Sequence, residues 1–177
     1  MKRILVGGGA RSGKSAFALR RARELGPRRA FVATAEAGDA EMAARIARHV
    51  QERGPAWRTI ECPLELEAAF AGLKDVDVVL LDCLTFWISN LLCGGLSEEE
   101  ALARVRRWEE RVREAPYHLV VVTNEVGLGL VPETPLGRAF RDVAGRAHQL
   151  LAPRANEVYF GMMGQILRLK PEPVEVV

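Results

Sequence analysis

The sequence predicts one α/β domain over residues 1–177, with a mainly parallel central sheet flanked by helices. Three observations predict it. Short apolar runs alternate with helix-patterned stretches along the whole chain. The first run, Arg3-Ile4-Leu5-Val6, leads into Gly8-Gly9-Ala10-Arg11-Ser12-Gly13-Lys14-Ser15, which fits the phosphate-loop pattern G-x-x-x-x-G-K-[ST]. A later run, Asp77-Val78-Val79-Leu80-Leu81-Asp82, is apolar and ends in a carboxylate, the Walker B form.

The elements follow in order. Arg3–Val6 is short and apolar enough for a buried strand, and Ser15 to Leu25 reads as a helix stopped by Gly26-Pro27. Between them, glycines let the backbone curl so that its N–H groups surround an anion at a helix N-terminus. Lys14 is then the candidate for the β- and γ-phosphates, and Ser15 for Mg²⁺. Ala30–Ala33 is a second strand. The loop that follows, Thr34-Ala35-Glu36-Ala37-Gly38, lies where open parallel sheets bind ligands and is a candidate wall of the nucleotide site.

Asp39 reads as the N-cap of a helix running to Arg53, closed by Gly54-Pro55. Met42, Ile46 and Val50 form its apolar stripe, and Arg45, Arg48, Gln51 and Glu52 its polar side. His49 and Arg53 fall within the arc of the stripe, one turn apart. Polar groups facing inward need a partner or a cavity; a core-edge histidine satisfied by a neighbour is the plainer alternative. Trp57–Glu61 reads as a short strand, Leu64–Leu73 as a helix, and Thr85–Leu92 as an apolar helix suited to core or subunit contact. Ser97 and Glu100 form a capping box opening a charged helix to about Glu114. His118–Val122 is a buried strand. Thr123-Asn124-Glu125-Val126-Gly127 at its end suits a catalytic loop. Pro135–Leu151 is a helix, and Glu157–Phe160 and Ile166–Lys170 are two strands, with an antiparallel edge hairpin as one arrangement.

Composition narrows the function classes. A net charge of +2 does not argue for a nucleic-acid surface. Cys62, Cys83 and Cys93 form no C-x-x-C pair, and three histidines make a zinc site an unpromising reading. The chain enters a strand at once, with no signal-peptide pattern, and no apolar run reaches the ~20 residues of a bilayer span. The expectation is a cytoplasmic protein without a membrane span or nucleic-acid partner.

Taken together, four stretches resemble one known family. They are Gly8–Ser15; Ala33-Thr34-Ala35 with Asp39–Ile46, His49 and Arg53; Trp57–Glu61; and Val122–Gly127 through Val131-Pro132 to Phe140-Arg141-Asp142. The family is the bifunctional adenosylcobinamide kinase/adenosylcobinamide-phosphate guanylyltransferase of cobalamin biosynthesis. The R-I-x-x-H-x-x-x-R and T-N-E-V-G-x-G stretches make the resemblance specific. It implies a RecA-like P-loop fold, ATP or GTP as phosphate donor to adenosylcobinamide, and GMP transfer from GTP to adenosylcobinamide phosphate. It also implies a guanylylated histidine, here His49. The guanine nucleotide would be held by Gly8, Gly9, Ala10, Arg11, Ser12, Gly13, Lys14 and Ser15, by Ala33, Thr34 and Ala35, by Val50, Gln51, Glu52 and Arg53, and by Glu61 and Asp82. Ser15 and Asp82 would hold Mg²⁺. Arg53 would stabilise charge on the transferring phosphoryl group, and Glu125 would orient or deprotonate the substrate hydroxyl. The resemblance implies a homo-oligomer, a trimer in particular, for which Leu84–Leu92 is the apolar stretch at hand. Two positions depart from the family pattern: His148 stands where Asn is usual, and Gly161-Met162-Met163-Gly164 replaces a commoner Gly-x-Pro.

Two other readings compete. A single-activity small-metabolite kinase would leave His49 structural. A RecA-type nucleotide switch or assembly module would need a partner; the missing N-K-x-D motif and the near-neutral charge count against it.

Overall fold

The computed structural model describes residues 1–176, apart from the side chains of Arg45, Glu52 and Glu175. Its strands and helices follow one another as β1 (Arg3–Gly8), α1 (Lys14–Arg23), β2 (Arg29–Ala33), α2 (Ala40–Arg53), β3 (Trp57–Glu61), α3 (Leu66–Ala71), β4 (Val78–Asp82), α4 (Leu84–Cys93), α5 (Glu98–Arg113), β5 (His118–Val122), α6 (Pro135–Leu151), β6 (Glu157–Met162), β7 (Gln165–Lys170) and β8 (Glu175–Val176). The strands form one sheet in the order β3-β2-β4-β5-β1-β6-β7-β8. From β3 to β6 every pairing is parallel; β7 and β8 add antiparallel strands at one edge.

Strand alternation divides the core between two faces. Ile4 and Val6 of β1 and Val78 and Leu80 of β4 pack under Phe17, Ala18 and Ala22 of α1. Leu5, Val79 and Leu81 face the other way, against α3–α6, where Trp87 and Trp108 meet edge to face at 5.9 Å. The sequence expectations for β3, β5 and α6 match residue for residue. The capping box is present: Ser97 Oγ accepts from the Glu100 N–H, and Glu100 Oε2 accepts from the Ser97 N–H.

Two expectations need correction. Leu84–Leu92 is not an available subunit surface. Leu84, Trp87, Ile88 and Leu91 are buried in the core of this chain, because α4 packs against α5 and α6 in the cluster on that face of the sheet. The tail does form a hairpin, but β6 lies inside the sheet beside β1 and only β7 and β8 reach the edge. That position places Gly161 against the phosphate loop.

No described helix is long and apolar enough to cross a membrane.

Candidate active site

The site forms at the carboxyl ends of β1, β2 and β4. The phosphate loop leaves β1 at Gly8, whose φ of 146° and close approach to Gly161 exclude a side chain: a Cβ there would stand 2.5 Å from the Gly161 carbonyl. Gly13, at φ 86°, turns the loop into α1 and occupies its N-cap. Arg11 also adopts a left-handed conformation, at φ 57°. Lys14 is 7% exposed, and its Nζ donates to the Gly9 carbonyl at 2.9 Å, across the loop. Loop residues Arg11–Ser15 and the N-terminus of α1 line one concavity, the setting in which a phosphate chain binds at a helix N-terminus.

Asp82 ends β4 beside that loop. Burial pushes its carboxyl above the usual carboxylate range, while His49, Lys14, the hydrogen-bonded Ser15 hydroxyl and Arg53 pull it down. A hydroxyl paired with a carboxylate is a hard-oxygen donor set, which fits Mg²⁺. Among the described residues no group of three or more His, Cys, Asp or Glu side chains gathers.

Helix α2 stands over this rim. Asp39 Oδ1 caps it by accepting the Met42 N–H at 2.7 Å, and Gly54 at φ 73° ends it. Two cavities open on its flanks. The first, about 460 Å³, is lined by the phosphate loop from Arg11 to Ser15 and by Glu41, Ala44, Arg48 and His49 of α2. The second, about 440 Å³, has Phe31, Ala33 and Phe86 as apolar walls, Met42, Ile46, His49 and Arg53 from α2, and the carboxylates of Glu61 and Asp82. His49 borders both.

Arg53 anchors the end of α2. It is 6% exposed, its guanidinium lies 3.7 Å from the centroid of the Phe31 ring, and Nη2 donates to Thr59 Oγ1 at 3.1 Å. The inward spacing of residues 42, 46, 49 and 53 is therefore realised. Val50 is 48% exposed and Gln51 is exposed, and neither lines a cavity. One residue past His49 rotates a side chain ~100° around the helix, which carries Val50 away from the site. The side chain of Glu52 lies outside the described residues.

Thr34, expected in the nucleotide wall, has a framework role. It is fully buried; its hydroxyl accepts the Cys83 N–H at 2.9 Å and donates to the Cys83 carbonyl at 2.7 Å. Asn90 Nδ2 donates to its carbonyl at 2.8 Å. These bonds fix the turn after Asp82 and so the carboxylate itself. Ala33 and Ala35 do line the second cavity. Glu125 lines neither of these two; its N–H donates to the Gly8 carbonyl at 3.0 Å, which sets its backbone beside the start of the phosphate loop.

Sequence reasoning missed Arg48, Phe31, Phe86 and Pro63. Arg48 lies on the polar, exposed side of α2 as its spacing predicts; its part in the site comes from that side also lining the phosphate-loop cavity. The aromatic walls come from β2 and α4, and nothing local in those stretches distinguishes a cavity wall from core.

The fold and the loop define a nucleotide-binding P-loop protein of RecA-like architecture. Two solved structures carry this fold at low identity. The RadB recombinase superposes with a TM-score of 0.56 at 15% identity, over 99% of this chain and 86% of that one. The flagellar accessory protein FlaH of Methanocaldococcus jannaschii gives 0.51 at 13%, over 99% and 77%. The sequence is more particular. Residues 4–169 match the family model described as cobinamide kinase / cobinamide phosphate guanyltransferase, and the chain belongs to that family. It is 43% identical to the bifunctional adenosylcobalamin biosynthesis protein CobP of Pseudomonas aeruginosa, over 97% of this chain and 99% of that protein. It is 41% and 42% identical to the CobU proteins of Salmonella typhimurium and Escherichia coli, each over 94% of this chain and 99% of theirs.

Proposed function

We propose that this chain phosphorylates adenosylcobinamide with ATP or GTP and then transfers GMP from GTP to the product, through a guanylylated His49. Family membership supports both reactions. The observation that carries the histidine is its position: His49 borders the phosphate-loop cavity and the cavity of Glu61 and Asp82 at once.

The chemistry follows from that position. The phosphate loop and Lys14 hold the β- and γ-phosphates. Arg11 and Arg48 add positive charge along the same cavity, and the base enters the cavity that Phe31 and Phe86 line, with Glu61 accepting from the guanine edge. Neutral imidazole offers an unprotonated ring nitrogen. That nitrogen forms a bond to the α-phosphorus as the bond to the bridging oxygen breaks, and pyrophosphate leaves. A phosphate oxygen of adenosylcobinamide phosphate then bonds the same phosphorus, the N–P bond breaks, and the imidazole is restored. Arg53 supplies charge to the transferring group. Ser15 and Asp82 would hold Mg²⁺, which would supply charge neutralisation at the phosphates. In the kinase step the γ-phosphoryl group passes to the substrate hydroxyl, which Glu125 orients.

GTP labelled at the α-phosphate tests this. Wild-type protein takes up acid-labile, base-stable label, and His49→Ala takes up none while keeping its kinase step. A wild-type protein that never carries label sinks the histidine intermediate. Phosphorylation with no pyrophosphate release would favour the single-activity kinase instead.

The assembly is a homo-oligomer on this reading, a trimer by family resemblance. Leu128, Leu130 and Val131, 79%, 95% and 63% exposed, form the apolar surface available for it. Serine at positions 128 and 130 lowers the sedimenting mass if that surface is the contact.

A further inference from the structure

Two side chains that lead back from Glu125, those of His148 and Thr123, have no part in the chemistry above. β5 ends at Val122, and the next residue, Thr123, is 1% exposed. Its Oγ1 lies 2.8 Å from His148 Nε2 on α6. The other ring nitrogen, Nδ1, lies 3.5 Å from Glu125 Oε2. Glu125 Oε1 accepts the Gly127 N–H at 2.7 Å. The backbone pins this row to the site: the Thr123 N–H donates to Val6 and the Glu125 N–H to Gly8, both at 3.0 Å.

The proton order follows from the partners. A carboxylate only accepts, so the nitrogen facing Glu125 carries the hydrogen. The neutral ring then offers its Nε2 lone pair to the Thr123 hydroxyl. Burial pushes the His148 imidazolium below its ordinary value, and Glu125, the charged group that bears on it among the described residues, pulls the other way without reversing the shift. The neutral ring is thus the form in place at neutral pH. The Gly127 N–H alone holds one carboxylate oxygen and leaves the group free to rotate. A second contact fixes the plane of the carboxylate and leaves lone pairs of Oε2 for a hydroxyl.

We propose that His148 is a positioning residue for the kinase step: its Nδ1–H fixes the orientation of the Glu125 carboxylate, and the Thr123 hydroxyl sets the ring. The inference rests on the reading of Glu125 as the group that orients the substrate hydroxyl.

The test uses the full chain with His148→Asn, His148→Gln, His148→Leu and Glu125→Gln. Kinase kcat and KM are measured with adenosylcobinamide and GTP, and His49 labelling from α-labelled GTP reports the integrity of the rest of the site. Asn places an amide N–H near Nδ1, whereas Gln reaches the place of Nε2. The expected result is kinase kcat within about threefold of wild type for Asn and a fall of roughly tenfold to a hundredfold for Gln and Leu, as for misplacement of a reacting group. KM for GTP and the labelling rate stay unchanged. Equal losses in Asn and Gln, full activity in Leu, or a parallel fall in labelling overturns the positioning role. Loss in Glu125→Gln with none in His148→Leu overturns this inference alone. Full kinase activity in Glu125→Gln overturns the reading of Glu125 and this inference with it.

Discussion

Glu157 ties the start of β6 to Lys2, ahead of β1, and to the last turn of α1, and its removal has a calculable cost. It sits at the start of β6 with 7% exposure. Oε1 accepts from Lys2 at 2.6 Å and from Arg21 Nη2 at 2.9 Å, and Oε2 accepts from Arg21 Nε at 3.1 Å and the Tyr159 hydroxyl at 2.8 Å. Burial alone would raise its pKa, but the hydrogen bonds from Arg21, Lys2 and Tyr159 outweigh it and hold the group at about 2, against 4.5 for a free carboxyl. At 1.36 kcal/mol per pH unit that depression is worth at most ~3.4 kcal/mol; Lys2 is half exposed and screened by water, so we take about 2–3. The folded pKa is depressed, so the contribution is complete above the unfolded value and is lost as pH falls towards 2. Roughly 1 kcal/mol is gone by about pH 3.5. Glu157→Gln should therefore lower Tm at pH 7 by about 4–12 °C for a chain of this size, and by less at pH 3.5. Urea unfolding of wild type and variant at both pH values measures it. An equal gap at pH 7 and pH 3.5 would refute the electrostatic account, and no gap at pH 7 would refute the clamp.

Two further outcomes follow from the site. In Gly161→Ala the new methyl stands 2.8 Å from Ser12 Oγ and 3.2 Å from Ile166 Cδ1. It should cost about 1–3 kcal/mol by overpacking and raise the Kd for GTP, read by nucleotide titration, while an unchanged Kd would show that β6 does not shape the loop. Arg53→Ala removes the contact with Phe31 and the bond to Thr59, about 2–3 kcal/mol together. His49 labelling should slow more than the kinase step, and Arg53→Lys should not restore it, since an ammonium cannot reproduce the planar fork. Equal slowing of both steps would count against α2 as the element specific to guanylyl transfer.

The alternation of apolar runs with helical periods set the parallel sheet, and the glycine pattern before Lys14 set the phosphate loop, because both are local: strand burial and loop curvature depend on neighbouring residues. The helical spacing of His49 and Arg53 was legible for the same reason. Other features were not. Gly161 faces Gly8 only because β6 returns to lie parallel to β1, and no spacing in the tail says so. Arg48 is exposed, as its place on the polar side predicts, but no spacing says that this side also borders the phosphate-loop cavity. Leu84–Leu92 reads as core or subunit contact, since hydrophobicity does not say which surface will cover it; α5 and α6 do, which makes it core. Glu125 and His148 stand 23 positions apart in the chain and meet only when α6 packs behind β5. The sequence by itself determined the fold class, the phosphate loop and the inward turn of His49. Only the tertiary structure decided which side chains share a cavity with His49 and which meet Glu125, because those distances depend on how elements far apart in sequence pack together.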